Sequence, residues 1–266
     1  MADLVSLEKG QYSGKVRDIE FYNGITLGST VYDPYGDKSG LHFHSNPHIS
    51  LLVEGFHVEK RKGIECFRKP GDVLYCNAGE EHQFTTTKSS RNVNIELDSQ
   101  FLRNFEVSEN IIEASLKNDL DTRLKILKIF YEYSMKDEFS ETSIQLLLLD
   151  LVSSSKKAAS NQKPLWIIRL QNIMNDRWNE LLTLNELSVL LDVHPVTISK
   201  YFAKFFSCSF GEYRRKLRIY KSVQLIKNTS LSITEIAFEC GFADQSHFIR
   251  NFKKLTGFTP KAYQKW

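Results

Sequence analysis

Four of the seven histidines in this chain fall into one pattern: His42-Phe43-His44, then His48, then His82. On an extended strand His42 and His44 point to the same face. A third and fourth imidazole beside them could close a site for Zn²⁺, Ni²⁺, Cu²⁺ or Fe²⁺. A set built only of imidazoles has no carboxylate to balance the charge of the ion, which favours Zn or Cu over Fe or Mn. The same side chains could instead line a polar effector pocket by hydrogen bonding, with no metal, and at this point both readings stand. His57, His194 and His247 read as structural or surface residues. Cys66, Cys76, Cys208 and Cys240 lie scattered without a Cys-x-x-Cys pair, so neither a disulfide framework nor a zinc finger is indicated.

The elements that must hold these residues change character along the chain. From about Val16 to Leu97, short apolar alternations such as Val93, Ile95 and Leu97 are broken by turn residues, including Pro70-Gly71 and Asn77-Ala78-Gly79. That spacing predicts a small antiparallel sandwich or barrel. From about Glu109 to Val152 the period is helical. The helices there carry apolar faces, and the run Leu146 to Leu149 is too broad for a solvated helix, so they are expected to pack on the strands. A small, polar stretch, residues 156–164 closed by Pro164, reads as an exposed linker. The longest apolar run, Ile144 to Val152, is too short to span a membrane, and the first residues lack the pattern of a signal peptide. A cytoplasmic protein is the simplest expectation.

Charge divides at the same place. The net charge of the whole 266-residue chain is +3, but up to Ser155 there are 17 basic and 24 acidic residues. From Lys156 onward there are 18 basic and 8 acidic residues, a net of +10. Two modules are expected, and a polyanion is the expected partner of the second.

The basic module contains a repeat. Thr183-Leu184-Asn185-Glu186-Leu187 matches Ser232-Ile233-Thr234-Glu235-Ile236, and Ile198, Lys200, Phe202 and Lys204 match Phe248, Arg250, Phe252 and Lys254. Each copy opens with a capping box, Thr183 with Glu186 and Ser232 with Glu235. In the first copy Leu184, Leu187, Leu190 and Leu191 form the expected buried stripe. A second helix then starts at Pro195 and runs towards Phe206, burying Ile198, Phe202 and Phe205. In the second copy Ile236, Ala237 and Cys240 are expected inside. Gly241-Phe242 make the turn, and a helix from about Gln245 buries Phe248 and Phe252. A helix, a tight turn and a second helix with a polar, basic outer face form a helix-turn-helix, whose second helix fits the major groove. One such unit is as readily an ordinary helical hairpin. Two of them, joined by Arg214-Arg215-Lys216-Leu217-Arg218, favour entry into successive major grooves about 34 Å apart.

Here the chain resembles the AraC/XylS family of bacterial transcription regulators. The residues are Ile233-x-x-Ile236-Ala237, Gly241-Phe242, Ser246-His247-Phe248, Phe252-Lys253-Lys254 and Gly257-Phe258-Thr259-Pro260-x-x-Tyr263. The resemblance implies base reading by Val196, Ser199 and Lys200 in the first copy, and by Gln245, Ser246, Ile249 and Arg250 in the second. With Thr197, Lys204 and Lys253 these are the candidate DNA-binding residues. Ser207 stands where the family usually has the glycine that Gly257 supplies in the second copy, and His194 replaces a common Ser cap. Val196 and Ser199 offer few donors, so Lys200 would dominate readout in the first copy.

The histidine pattern, with Gly55 and Gly-x5-Asn-x-Gly-x2-His ending at His82, resembles the cupin barrel that such regulators commonly carry as a sensing domain. It implies that His42, His44, His48 and His82 occupy the four metal-ligating positions of metal-binding cupins. His48 stands in place of the usual Glu, and Asn77 in place of the usual Pro.

The expected architecture is α+β. A cupin-like antiparallel β-barrel (residues 10–105) senses an effector, followed by a helical dimerisation or packing segment (106–155), the linker (156–164) and an all-α domain with two helix-turn-helix motifs (165–266). The expected function is a sequence-specific transcription regulator, not an enzyme. Its partners would be double-stranded DNA, RNA polymerase, a small-molecule effector (a sugar or a metal such as Zn, Cu or Ni) and a second copy of the chain. The competing reading is a metal-dependent cupin enzyme, such as an isomerase or dioxygenase, with DNA binding secondary.

Overall fold

The computed structural model describes residues 4–33, 40–159 and 163–266. It divides into two compact units. The first comprises the residues up to Lys117 together with Glu132–Ser153, and the second Asn118–Tyr131 with Ser154–Trp266.

The first unit begins with strands β1 (Val5–Leu7), β2 (Lys15–Tyr22), β3 (Ile25–Tyr32), β4 (His42–His44) and β5 (His48–Glu54). Strands β6 (His57–Arg61), β7 (Ile64–Arg68), β8 (Val73–Cys76), β9 (His82–Thr86) and β10 (Ser90–Leu97) follow. One sheet has the order β2-β3-β10-β5-β8 and the other β1-β4-β9-β6-β7. Neither sheet closes on itself among the described residues, so the expected closed barrel is instead two open five-stranded sheets. Nor is the pairing wholly antiparallel, because β1 runs parallel to β4 with Leu7 opposite His44. The middle of the first sheet is covered on both faces. β10 is buried along its whole length and β5 up to its last residue, which is why alternation fades in their sequences. The β6–β7 hairpin turns on Lys62-Gly63, with φ of 48° and 75°, the positive pair that a two-residue turn of matching twist requires.

Helices α1 (Ser99–Asn104) and α2 (Glu109–Asn118) follow the strands. Helices α3 (Leu120–Met135) and α4 (Ser140–Ala159) have residues in both units, so the segment 106–155 does not form a module of its own. α4 continues to Ala159, well into the stretch read as linker, while Ser160, Asn161 and Gln162 lie outside the described residues. The polar composition of that stretch signals exposure, but Lys and Ala are also good helix formers, and the helix simply carries on.

The second unit contains α5 (Leu165–Asp176), α6 (Leu184–Leu191), α7 (Pro195–Phe206), α8 (Phe210–Asn228), α9 (Ile233–Glu239), α10 (Gln245–Thr256) and α11 (Pro260–Lys265). α8 packs against α7, α9, α10 and α11. Its core is aromatic: Phe202, Phe248, Phe252 and Tyr263 are fully buried, each contributing about 1.5–3 kcal/mol by burial. No helix among the described residues is long and apolar enough to cross a membrane.

Candidate functional site

Two sites emerge, one in each unit. In the first, sheet register assembles the histidines. His42 lies directly opposite His82 across the β4–β9 pair, and His44 is two residues along the same strand. In the other sheet His48 lies directly opposite Cys76 across the β5–β8 pair. Directly opposed residues share a face, so each sheet presents its set towards one cavity. Ring centroids are 4.3 Å apart for His42–His82 and for His44–His48, 5.5 Å for His44–His82 and 6.1 Å for His48–His82. All four imidazoles named from the sequence therefore converge, and all four are buried.

The hydrogen bonds fix which ring nitrogens are available. His42 Nδ1 lies 2.8 Å from the Gly40 carbonyl and His82 Nδ1 2.9 Å from the Glu80 carbonyl. A carbonyl only accepts, so each Nδ1 carries the proton and Nε2 keeps its lone pair, the arrangement that prepares an imidazole for coordination. Burial, reinforced by the neighbouring His82, pushes the His42 imidazole down to about 4 and that of His44 to about 3. Burial holds His48 well below its usual range. These three side chains are neutral at pH 7, as ligation demands. Ligand atoms of His42, His44 and His82 lie within 4.8 Å of one another, and so do those of His48, Cys76 and His82.

The cavity measures about 20 Å³, and its walls also include Tyr12, Glu59, Arg68 and Asn94. One water-sized sphere needs about 10–15 Å³, so an ion and little else fits. Arg68 Nη1 donates to Glu59 Oε2 at 3.1 Å and Nη2 to the Ser50 carbonyl at 3.0 Å, while Glu59 Oε1 is buried without a hydrogen-bond partner. Cys76 was read only as one of four scattered cysteines, and Glu59 and Arg68 went unnamed. Their partners are distant in sequence, and only strand register, which no local spacing reports, brings them together. His57 is structural, as expected: it stacks on Phe84 at 4.3 Å, and its Nε2 lies 2.8 Å from Ser90 Oγ.

In the second unit the duplicated helix pair is built as the repeat predicts. Both capping boxes form: Thr183 Oγ1 accepts from Glu186 N and Ser232 Oγ from Glu235 N, with each carboxylate returning to the amide of its cap residue. α7 spans Pro195–Phe206 and α10 starts at Gln245. Along α7, Val196, Ser199, Lys200 and Lys204 are exposed and Thr197 is half-buried. Along α10, Gln245, Ser246, Arg250 and Lys253 are exposed and Ile249 is half-buried.

Three details differ from expectation. Leu190 is exposed and Leu184 only half-buried, so the stripe of α6 rests on Leu187 and Leu191. Phe205 is half-buried and stacks on Tyr201, with Lys204 Nζ 5.5 Å from its ring centroid. The basic run in α8 is partly occupied internally. Arg214 donates to the carbonyls of Leu182 and Glu180, Lys216 pairs with Asp121 at 2.9 Å, and Arg218 donates to the Gly241 carbonyl.

Residues 187–265 match the family model described as "Helix-turn-helix domain". These residues form a helix-turn-helix domain. The regulator GbdR of Pseudomonas aeruginosa is 35% identical over 89 residues, 34% of this chain and 24% of GbdR. The matched region thus spans about a quarter of that relative's length. The uncharacterized HTH-type transcriptional regulator YijO of Escherichia coli is 25% identical over 233 residues, 82% of this chain and 81% of YijO. Among solved structures, the C-terminal domain of AraT from Geobacillus stearothermophilus is 28% identical, covers 40% of this chain and 88% of that one, and has a TM-score of 0.36.

Proposed function

We propose that the chain is a DNA-binding transcription regulator acting in the cytoplasm. In this reading the AraC-type domain enters two successive major grooves of double-stranded DNA with α7 and α10, and the two-sheet unit, cupin-like in its histidine pattern, senses a ligand. The observation that carries the reading is the duplication: two capped helix pairs, each presenting a cation on an exposed face of its second helix, Lys200 and Arg250. Arg or Lys reaches guanine O6 and N7, Gln reads adenine, and the remaining cations contact phosphates. Val196, Thr197, Ser199, Lys200 and Lys204 supply the first contact set. Gln245, Ser246, Ile249, Arg250 and Lys253 supply the second.

The cavity size argues for the class of effector. The histidine cavity, about 20 Å³, suits a divalent transition ion such as Zn²⁺, Cu²⁺ or Ni²⁺ better than a sugar. His42, His44, His48 and His82 would hold it, and a bound ion would supply cross-links between the two sheets. The helix-turn-helix domain in the same chain favours sensing over the metal-enzyme reading. Exposed Phe139 and Leu146 support a homodimer made through the helical segment, and the DNA-bound dimer would recruit or block RNA polymerase.

Gel-shift titration of the full chain at increasing salt tests the DNA reading. Each neutralised phosphate contributes about −0.9 to the slope of log affinity against log salt. A steep negative slope with preference for a selected site is expected, and affinity indifferent to salt and sequence would contradict it. Elemental analysis of protein purified without an affinity tag tests the effector reading. Stoichiometric metal that changes DNA affinity supports it, and metal-free protein indifferent to added Zn²⁺, Cu²⁺ or Ni²⁺ contradicts it.

A further inference from the structure

We infer that Cys76 binds the ion directly as a thiolate, so that the histidine cavity is a mixed sulfur–imidazole site for a thiophilic d¹⁰ ion, Zn²⁺ or Cu⁺. The inference rests on the metal reading above and changes its chemistry. Cys76 is 2% exposed and sits opposite His48 across the β5–β8 pair, facing the cavity that both residues line. Its sulfur, a His48 nitrogen and a His82 nitrogen all lie within 4.8 Å of one another. Tetrahedral Zn has bonds of about 2.0–2.1 Å to nitrogen and 2.3 Å to sulfur, so its ligand atoms are separated by roughly 3.3–3.7 Å. Closing the set takes an inward movement of about 1 Å, within reach of small side-chain rotations.

His82 belongs to both ligand triads, so one ion near it can take Cys76 and His48 from one sheet and His42 or His44 from the other. His48 Nδ1 is buried and has no hydrogen-bond partner, an uncompensated cost that a nearby ion or a small adjustment of the ring would relieve. Charge argues the same way. Neutral imidazoles leave a buried ion uncompensated, Glu59 shares its charge with Arg68 through Oε2, and a Cys76 thiolate adds negative charge that Arg68 does not neutralise. A soft ligand also selects Zn²⁺ and Cu⁺ over Fe²⁺ and Mn²⁺. The other buried cysteines, Cys208 and Cys240, lie in the helix-turn-helix domain and in neither ligand group. Coordination breaks the S–H bond, forms the S–metal bond and releases one proton to solvent; no electron is transferred.

The test uses the full chain, stripped of metal and titrated with Co²⁺ as a spectroscopic probe. A sulfur-to-cobalt charge-transfer band in the near ultraviolet is expected, together with release of about one proton per ion. Displacement by Zn²⁺ or by Cu⁺ then shows which ion holds the site more tightly. Cys76→Ser should lose the band while the visible cobalt bands from imidazole ligation persist, and should bind roughly tenfold more weakly or worse. Cys240→Ser should keep the band. Should Cys76→Ser not fold, metal-dependent protection of Cys76 from alkylation in the unmodified chain gives the same answer. Cobalt bound without a charge-transfer band, and with equal affinity in Cys76→Ser, would overturn this inference and leave the all-histidine site standing. Failure to bind any of the three ions would overturn both.

Discussion

The two helix pairs of the C-terminal domain share one design and differ in how firmly it is executed. In the second pair Asp244 Oδ1 accepts from His247 N at 2.7 Å, and α10 ends on Gly257 at φ 85°. In the first, the cap is the imidazole of His194, whose Nδ1 accepts from Val196 N at 3.3 Å, and α7 ends on Ser207 at φ 52°. A carboxylate outperforms a ring nitrogen as a cap, and a side-chain-bearing residue pays strain in the left-handed region that glycine avoids. The faces differ likewise. α10 exposes Gln245, Ser246 and Arg250, while α7 offers Val196, Ser199 and Lys200. The two copies keep one scaffold, and the proposed reading heads differ: a firmly capped, donor-rich second head and a less firmly capped first head with one strong donor.

That contrast can be broken most severely at Gly257. A Cβ built there would meet the ring of Tyr131 at 2.5 Å, and the positive φ adds about 1–2 kcal/mol of its own. Gly257→Ala should therefore lower stability by about 2 kcal/mol or more in chemical denaturation; an unchanged midpoint would remove the capping argument. Next comes readout. Arg250→Ala should cost about 1–3 kcal/mol of discrimination between the selected site and single-base variants, and Lys200→Ala less. Equal losses would erase the asymmetry between the heads. Caps follow: Asp244→Ala should destabilise by about 1 kcal/mol and His194→Ala by a few tenths, measured by thermal unfolding. The reverse change, Ser207→Gly, should stabilise by up to about 1 kcal/mol, since relief of strain exceeds the added chain entropy. Smallest of all, Lys156→Ala on α4 should leave DNA affinity within error in a gel shift.

Much of the second unit was legible because its signals are local. Capping boxes, Pro195 and the spacing of Ile198 and Phe202 all act within a few residues, and they placed α7 at its observed bounds. Burial of Leu190 was misread because four leucines at helical spacing overfill a stripe that only Leu187 and Leu191 need. The helical course of Lys156–Ala159 was hidden by a composition shared by linkers and helix ends. In the first unit the histidines could be assigned to a site, but Cys76 was read only as a scattered cysteine. Its position opposite His48 depends on which strands pair and in what register, information spread over distant residues. The choice of a barrel over a sandwich failed for the same reason, since alternation reports that strands exist and not whether they close.

The measurement that tests the account most directly is selection of bound duplexes from a randomised pool by the full chain. The account predicts two short conserved elements centred about 10–10.5 base pairs apart, one turn of the DNA helix. The element read by α10 should be the more strongly conserved, and it should be lost from the pool selected by Arg250→Ala. A single element, or enrichment of no sequence at all, would contradict the claim that both helix pairs read DNA.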